Sequence, residues 1–172
     1  MNKLLELKKL GFVIPWKLIA IGVYGDGEIP STLTHLDVVD YLDSLLTEND
    51  EQTDNIITLI LDKDNCSRFD NFLKKLANED CANTAIQKRK WRAYLLKETI
   101  DNISEDYFQG LMDLMAFWIS MGIPDDCPQT FPIANDRKSI QEYFTQASFE
   151  LTLNENRMWL SKEIHNIIEF EN

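Results

Sequence analysis

SEDYFQGLMDLMAFWISM, residues 104–121, is the most informative run in the 172-residue chain. At a helical step of about 100° per residue, Tyr107, Phe108, Leu111, Met112, Leu114, Met115, Trp118, Ile119 and Met121 cover most of the circumference. Gln109, Asp113 and Ser120 leave only a narrow polar strip. A surface helix needs a broad solvated face, so this segment is expected to be a central helix wrapped by others. Ser104 is the expected N-cap, with Glu105 and Asp106 in the first turn beside the positive end of the helix dipole. Gly122 followed by Pro124 ends the helix.

Helical signals continue on both sides. Asn2 caps a short helix carrying Leu4, Leu5, Leu7 and Leu10 and ending at Gly11. Pro15 opens a second helix, Trp16 to Tyr24, before the Gly25-Asp26-Gly27 break. Thr34 and Asp37 form a capping signature for a third, running to about Leu46, with Val38, Val39, Tyr41, Leu42, Leu45 and Leu46 on one side and Asp37, Asp40 and Asp43 on the opposite arc. Asp54 begins a short apolar helix, and Ser67 with Asp70 marks another. A long helix is expected from Thr84 to Ile103. Its Ile86, Ala93, Leu96, Ile100 and Ile103 form one apolar face, and Trp91, Tyr94 and Leu95 form a second, which is either buried or a docking patch. Residues 123–135, IPDDCPQTFPIAN, hold three of the five prolines and read as a long ordered loop. Asp136 caps a helix with Ile140, Tyr143 and Phe144. Phe149, Leu151 and Leu153 alternate with polar residues, permitting a short strand over 149–153. A terminal helix from about Asn154 places Leu160, Ile164, Ile167 and Ile168 on its core side. The expected fold is all-α: one domain over residues 1–172, an irregular bundle of seven to eight helices, with HEAT-like helix pairs left open.

Charge is distributed unevenly. The net charge is −12, from 29 acidic and 17 basic residues. Residues 25–64 contain eleven acids and one base, Lys63, or −10. The remaining 18 acids and 16 bases give −2. An acidic chain is a poor ligand for nucleic acid or an anionic membrane, so neither is expected as a partner, and a basic protein is the natural complement. No run reaches the roughly 18 apolar residues of a membrane-spanning helix. Pro15 and Lys17 interrupt the apolar N-terminal run, and Glu6 spoils its basic flank, which argues against a signal peptide. Cys66, Cys81 and Cys127 are widely spaced with no C-x-x-C, so reduced thiols in the cytoplasm are expected.

In Asp62-Lys63-Asp64-Asn65-Cys66-Ser67 the third oxygen ligand of a calcium loop is replaced by Cys66, the turn glycine by Ser67 and the bidentate glutamate by Leu73. His35 and His165 have no metal-ligand spacing, and no serine or cysteine stands in a nucleophile context. No catalytic residue, metal ligand or cofactor is therefore assigned, and a non-enzymatic protein is expected. Lys88-Arg89-Lys90-Trp91-Arg92 is the one basic cluster; pairing with acids of the same fold, or a solvated face, is its expected role. Asp125, Asp126 and Phe131 combine charge with an aromatic anchor on the proline-rich loop, a composition suited to binding.

PWKLIAIGVYGDGEIPSTLTHLDVVDYLDSLL, residues 15–46, and GIPDD, residues 122–126, resemble a bacterial family of small helical proteins of unknown function. Some families of that kind accompany polymorphic or contact-dependent toxins as immunity proteins. The resemblance implies an intracellular, acidic inhibitor and brings no catalytic residues with it. The expected function is a protein-binding module, most concretely an immunity-like inhibitor of a basic toxin or another basic protein. Its expected contact residues are Asp37, Asp40, Asp43, Glu48, Asp50, Glu51, Asp125, Asp126 and Phe131. Two alternatives stand beside it: a metal-dependent hydrolase using clustered carboxylates, and a structural or oligomerising subunit docked through Trp91, Tyr94 and Leu95. The homo-oligomeric state is left open.

Overall fold

A computed structural model describes residues 2–46, 53–132 and 136–171, and the fold seen there is all-α. Among the described residues there are nine helices: α1 (Lys3–Lys9), α2 (Trp16–Tyr24), α3 (His35–Leu45), α4 (Thr53–Leu61), α5 (Cys66–Glu79), α6 (Thr84–Asp101), α7 (Tyr107–Ser120), α8 (Arg137–Tyr143) and α9 (Gln146–Glu171). The chain divides into two compact units, Met1–Trp91 with Glu171–Asn172, and Arg92–Phe170.

In the first unit α2 packs on α5, α3 on α1 and α4, and α4 on α5. Local chemistry sets most boundaries. The Asn2 side chain accepts from the amides of Leu4 and Leu5 and starts α1. Pro15 stands at the N-cap of α2, where a missing N–H costs nothing. At the other end of α2, Gly25 has φ +69°, and a Cβ there would stand 2.9 Å from the Ile29 carbonyl oxygen, so only glycine fits the turn. The chain then folds back onto α2: the Gly22 carbonyl accepts from Thr32 N and Leu33 N at 2.7 and 2.9 Å, and Ser31 Oγ donates to the Val23 carbonyl. Thr34 and Asp37 close a capping box on α3. Leu4, Leu7, Leu18, Leu42, Ile56, Leu59, Phe69 and Leu73 fill the core, each contributing about 1.5–3 kcal/mol on burial.

Trp91 and Tyr94 are buried. The Trp91 indole N–H donates to the Leu18 carbonyl at 2.8 Å, and the Tyr94 hydroxyl donates to Glu98. The open choice over the second face of α6 therefore resolves to core, and a docking patch through these two aromatics is ruled out. Lys90 is fully buried too, its ammonium donating to the Val13 carbonyl at 2.7 Å and to Glu171 at 2.5 Å.

In the second unit Leu96, Ile100, Leu114, Phe117 and Trp118 form the core, with Leu95, Leu153, Trp159 and Leu160 packed against it. The Trp118 ring meets those of Phe117 and Trp159 edge-on, at 5.0 and 5.1 Å between centroids, a favoured aromatic geometry. Its indole N–H donates to Asn156 Oδ1 at 2.7 Å.

Several expectations are corrected. Residues 149–153 are not a strand; they lie inside α9, which begins at Gln146 rather than near Asn154. Phe149 is buried and Leu151 is 60% exposed, so the alternation does not mark two sheet faces. α7 is less enclosed than its composition implies: Leu111, Leu114, Phe117 and Trp118 are buried, while Phe108 and Ile119 are 50% and 55% exposed. Its cap is Asp106, whose side chain accepts from Gln109 N, not Ser104. Likewise α5 is capped by Asn65, which accepts from Arg68 N, not by Ser67.

Candidate protein-binding surface

α3 carries the acids around which the surface is built. Asp37 is largely committed to its own helix: its carboxylate accepts from Thr34 N at 2.7 Å and Thr34 Oγ1 at 2.6 Å. Partial burial pushes this carboxyl upward, but the Thr34 hydrogen bonds and the nearby Lys3 charge outweigh it and hold it below the ordinary range. Asp40 and Asp43 are different. Both are exposed, and neither pairs with a basic side chain among the described residues. They share a helical face with Leu36, which is 66% exposed, in an i, i+4, i+7 series. The sequence reading overlooked this leucine because it lies outside the apolar arc. Glu48, Asp50 and Glu51, also expected here, lie outside the described residues.

Other acids of residues 25–64 are balanced internally. Lys88 bridges Asp26 at 2.7 Å and Glu28 at 3.2 Å. Burial raises the Asp26 carboxyl, but the Lys88 contact and the Ile29 and Glu28 amides lower it further, to a net position below the usual range. Asp62 stands 3.9 Å from Arg68. Part of the −10 is thus offset by ion pairs, and Asp40 and Asp43 are its outward portion on α3.

The opposite side of α3 lines a cavity of about 500 Å³ within the first unit. Tyr41, Leu42 and Leu45 come from α3, Trp16 and Ile19 from α2, Asn55 and Ile56 from α4, and Leu76 and Glu79 from α5. Val13, Ile14, Pro15, Asp80 and Cys81 complete the lining. Asp80 is fully engaged in shaping the wall: its carboxylate accepts from Lys17 N and Ala82 N, and the Lys17 ammonium caps the Asp80 and Ala82 carbonyls at 2.8 Å each. No run of sequence announces this cavity, because its walls converge from four separate segments.

One polar cluster invites a catalytic reading. Asp70 Oδ1 accepts from the Tyr24 hydroxyl at 2.7 Å and lies 2.9 Å from His35 Nε2. The His35 ring lies 4.4 Å from that of Phe69, and the Lys74 ammonium lies over the Tyr24 ring. Burial raises Asp70, but the Tyr24 and His35 contacts outweigh it and keep its carboxyl below the ordinary range. Burial, followed by the Asp70 contact, drives the Tyr24 phenol well above its ordinary range, which keeps it protonated as a donor. The cluster ties α2, α3 and α5 together through satisfied hydrogen bonds, a brace among half-buried side chains. Among the described residues no three His, Cys, Asp or Glu side chains come together in a way that could hold a metal ion.

Asp125, Asp126 and Phe131 belong to the second unit. Both acids are exposed, and Asp126 pairs with Arg92 at 2.9 Å. Arg92 also stands 3.7 Å from the buried Glu163 and over the Trp159 ring. Phe131 is half-buried and packs against the Leu96–Trp118 core. Asp125, Asp126 and Phe131 thus share a loop, and Asp37, Asp40 and Asp43 share a helix in the other unit.

Residues 5–164 match the model of a family described as an uncharacterized protein conserved in bacteria, DUF2247. No curated protein and no solved structure matches the chain.

Proposed function

We propose that this chain, which belongs to the DUF2247 family of uncharacterised bacterial proteins, is a non-catalytic module that receives a basic protein on the acidic face of α3. In its most concrete form it is an immunity-like inhibitor, acting in the cytoplasm by covering a basic toxin. The observation that supports the reading is the fate of the acids: Asp26, Glu28 and Asp37 are used within the fold, whereas Asp40 and Asp43 project from α3 beside the exposed Leu36. Unpaired like charges on one face repel each other slightly and do nothing for the helix. They do steer a cationic partner and raise its rate of encounter.

Affinity capture from a bacterial lysate, run at low and high salt with wild type and with Asp40→Asn/Asp43→Asn, tests the proposal. A basic protein retained by wild type at low salt, and lost both at high salt and by the variant, is the expected result. Retention of the same proteins by both forms at both salt concentrations refutes it.

A further inference from the structure

We infer that Lys90 and the Val13 amide form a binding site for a small aliphatic carboxylate, and that Glu171 fills it as an intramolecular ligand. All three residues belong to the first unit. The Lys90 ammonium is fully buried and donates to the Val13 carbonyl at 2.7 Å and to Glu171 Oε1 at 2.5 Å. The other carboxylate oxygen, Oε2, accepts from Val13 N at 3.3 Å. One carboxylate is thus held by both of its oxygens, between a cation and a backbone N–H, with little of it left to solvent.

Two properties separate this contact from the ion pairs along single helices. In those, Lys9, Lys75, Lys97 and Lys138 are exposed and meet an acid one turn away, where water replaces either partner at small cost. Lys90 has no such recourse, because an ammonium enclosed by protein needs an anion. Burial pulls Lys90 below the ordinary lysine range, and the carboxylates of Glu171 and Asp80 oppose this without cancelling it. The second property is position: Glu171 is the last residue of α9, and element ends open locally at far lower cost than a core does. When that end lifts, the ammonium and the Val13 N–H remain as a pair of donors spaced for one carboxylate.

The donor set selects the ligand. One cation balances one negative charge, and Asp80 already acts on Lys90, so a dianion such as phosphate brings charge that nothing neutralises. Two donors, one to each oxygen of a planar group, suit a carboxylate. Glu171 itself reaches them on two methylenes, which is the stem of propionate. Held at the end of its own helix, Glu171 acts at an effective concentration of about millimolar or more, so the wild-type site is closed to a dilute acid.

Urea unfolding of the full chain with Glu171→Ala, in propionate and in chloride at equal ionic strength, tests the inference. At ten times its dissociation constant, propionate should raise the folded-to-unfolded ratio of the variant about tenfold, and saturably, while wild type stays unchanged. Phosphate at the same ionic strength should not reproduce the gain. Should the variant fail to fold in chloride, its refolding yield in propionate against chloride is the readout. Adding Lys90→Met to Glu171→Ala should abolish the response, because the cation that recruits the acid is gone. An equal response of wild type and variant marks a general salt effect, and a variant that ignores propionate at every concentration marks a purely structural ion pair; either result overturns the inference.

Discussion

Gly22→Ala is expected to destabilise the protein even though alanine is the better helix former. Gly22 lies inside α2, where the exchange alone would favour folding by about 1 kcal/mol. The space is not there. A Cβ would stand 2.3 Å from Cζ2 of Trp91 and 2.6 Å from Cδ1 of Leu33, against ordinary carbon separations of about 3.5–4.0 Å. Trp91 is fully buried and tethered by its indole N–H to the Leu18 carbonyl on the same helix, so it yields only by giving up that bond. Leu33 is held by its amide to the Gly22 carbonyl. Overpacking of this kind costs about 1–3 kcal/mol, and weakening the indole bond costs about 1 kcal/mol more. After subtracting the helix-propensity gain, the expected net loss is about 2 kcal/mol. Urea denaturation followed by tryptophan fluorescence reads it as a lower midpoint with an unchanged slope. The losses of Gly22→Ala and Leu33→Ala should combine to less than their sum, as coupled neighbours do. A Gly22→Ala protein as stable as wild type, or more so, would refute the packing argument.

Asn156→Leu should cost about 1–3 kcal/mol in thermal or urea unfolding, because it orphans the buried Trp118 N–H; a neutral result would mean that this bond is not an important constraint. Asp126→Asn should change stability by less than about 1 kcal/mol, since the carboxylate is half-exposed and surface pairs are weak; a larger loss in the same measurement would contradict that. Acid should weaken the fold: the Asp26, Asp37 and Asp70 carboxyls lie lower in the folded chain than in the unfolded one. Their stabilisation is therefore present above the unfolded value near pH 4 and lost as pH falls through the folded values. Asp70→Asn should flatten that loss in a pH series of unfolding midpoints, and an unchanged slope would count against the Tyr24–Asp70–His35 brace.

Elements with local signals were legible in the sequence. The Asn2, Thr34/Asp37 and Asp136 caps and the Pro15 and Gly25 boundaries act within a few residues, and α1, α2, α3 and α8 begin where those residues place them. Where two cap candidates lie close together, local chemistry does not choose: Asp106 displaces Ser104, and Asn65 displaces Ser67. The 149–153 alternation misleads because period-two spacing of three residues is also compatible with a helix whose middle member, Leu151, points to solvent. The functional geometry is harder still. The acidic character of α3 and the Asp37 cap are plain from the sequence, but that Lys88 occupies Asp26 and Glu28 emerges only on folding. The Tyr24–Asp70–His35 contacts join residues 35 and 46 positions apart, a separation that no local pattern encodes.

Association kinetics between wild type and the captured basic partner, measured across a salt series beside Asp40→Asn/Asp43→Asn, probe the acidic face most directly. The double variant should associate several-fold more slowly at low salt, with a shallower salt dependence, and the two proteins should converge as screening shortens the reach of the charges. Equal association rates for both proteins at every salt concentration would contradict a role for α3 in drawing the partner in.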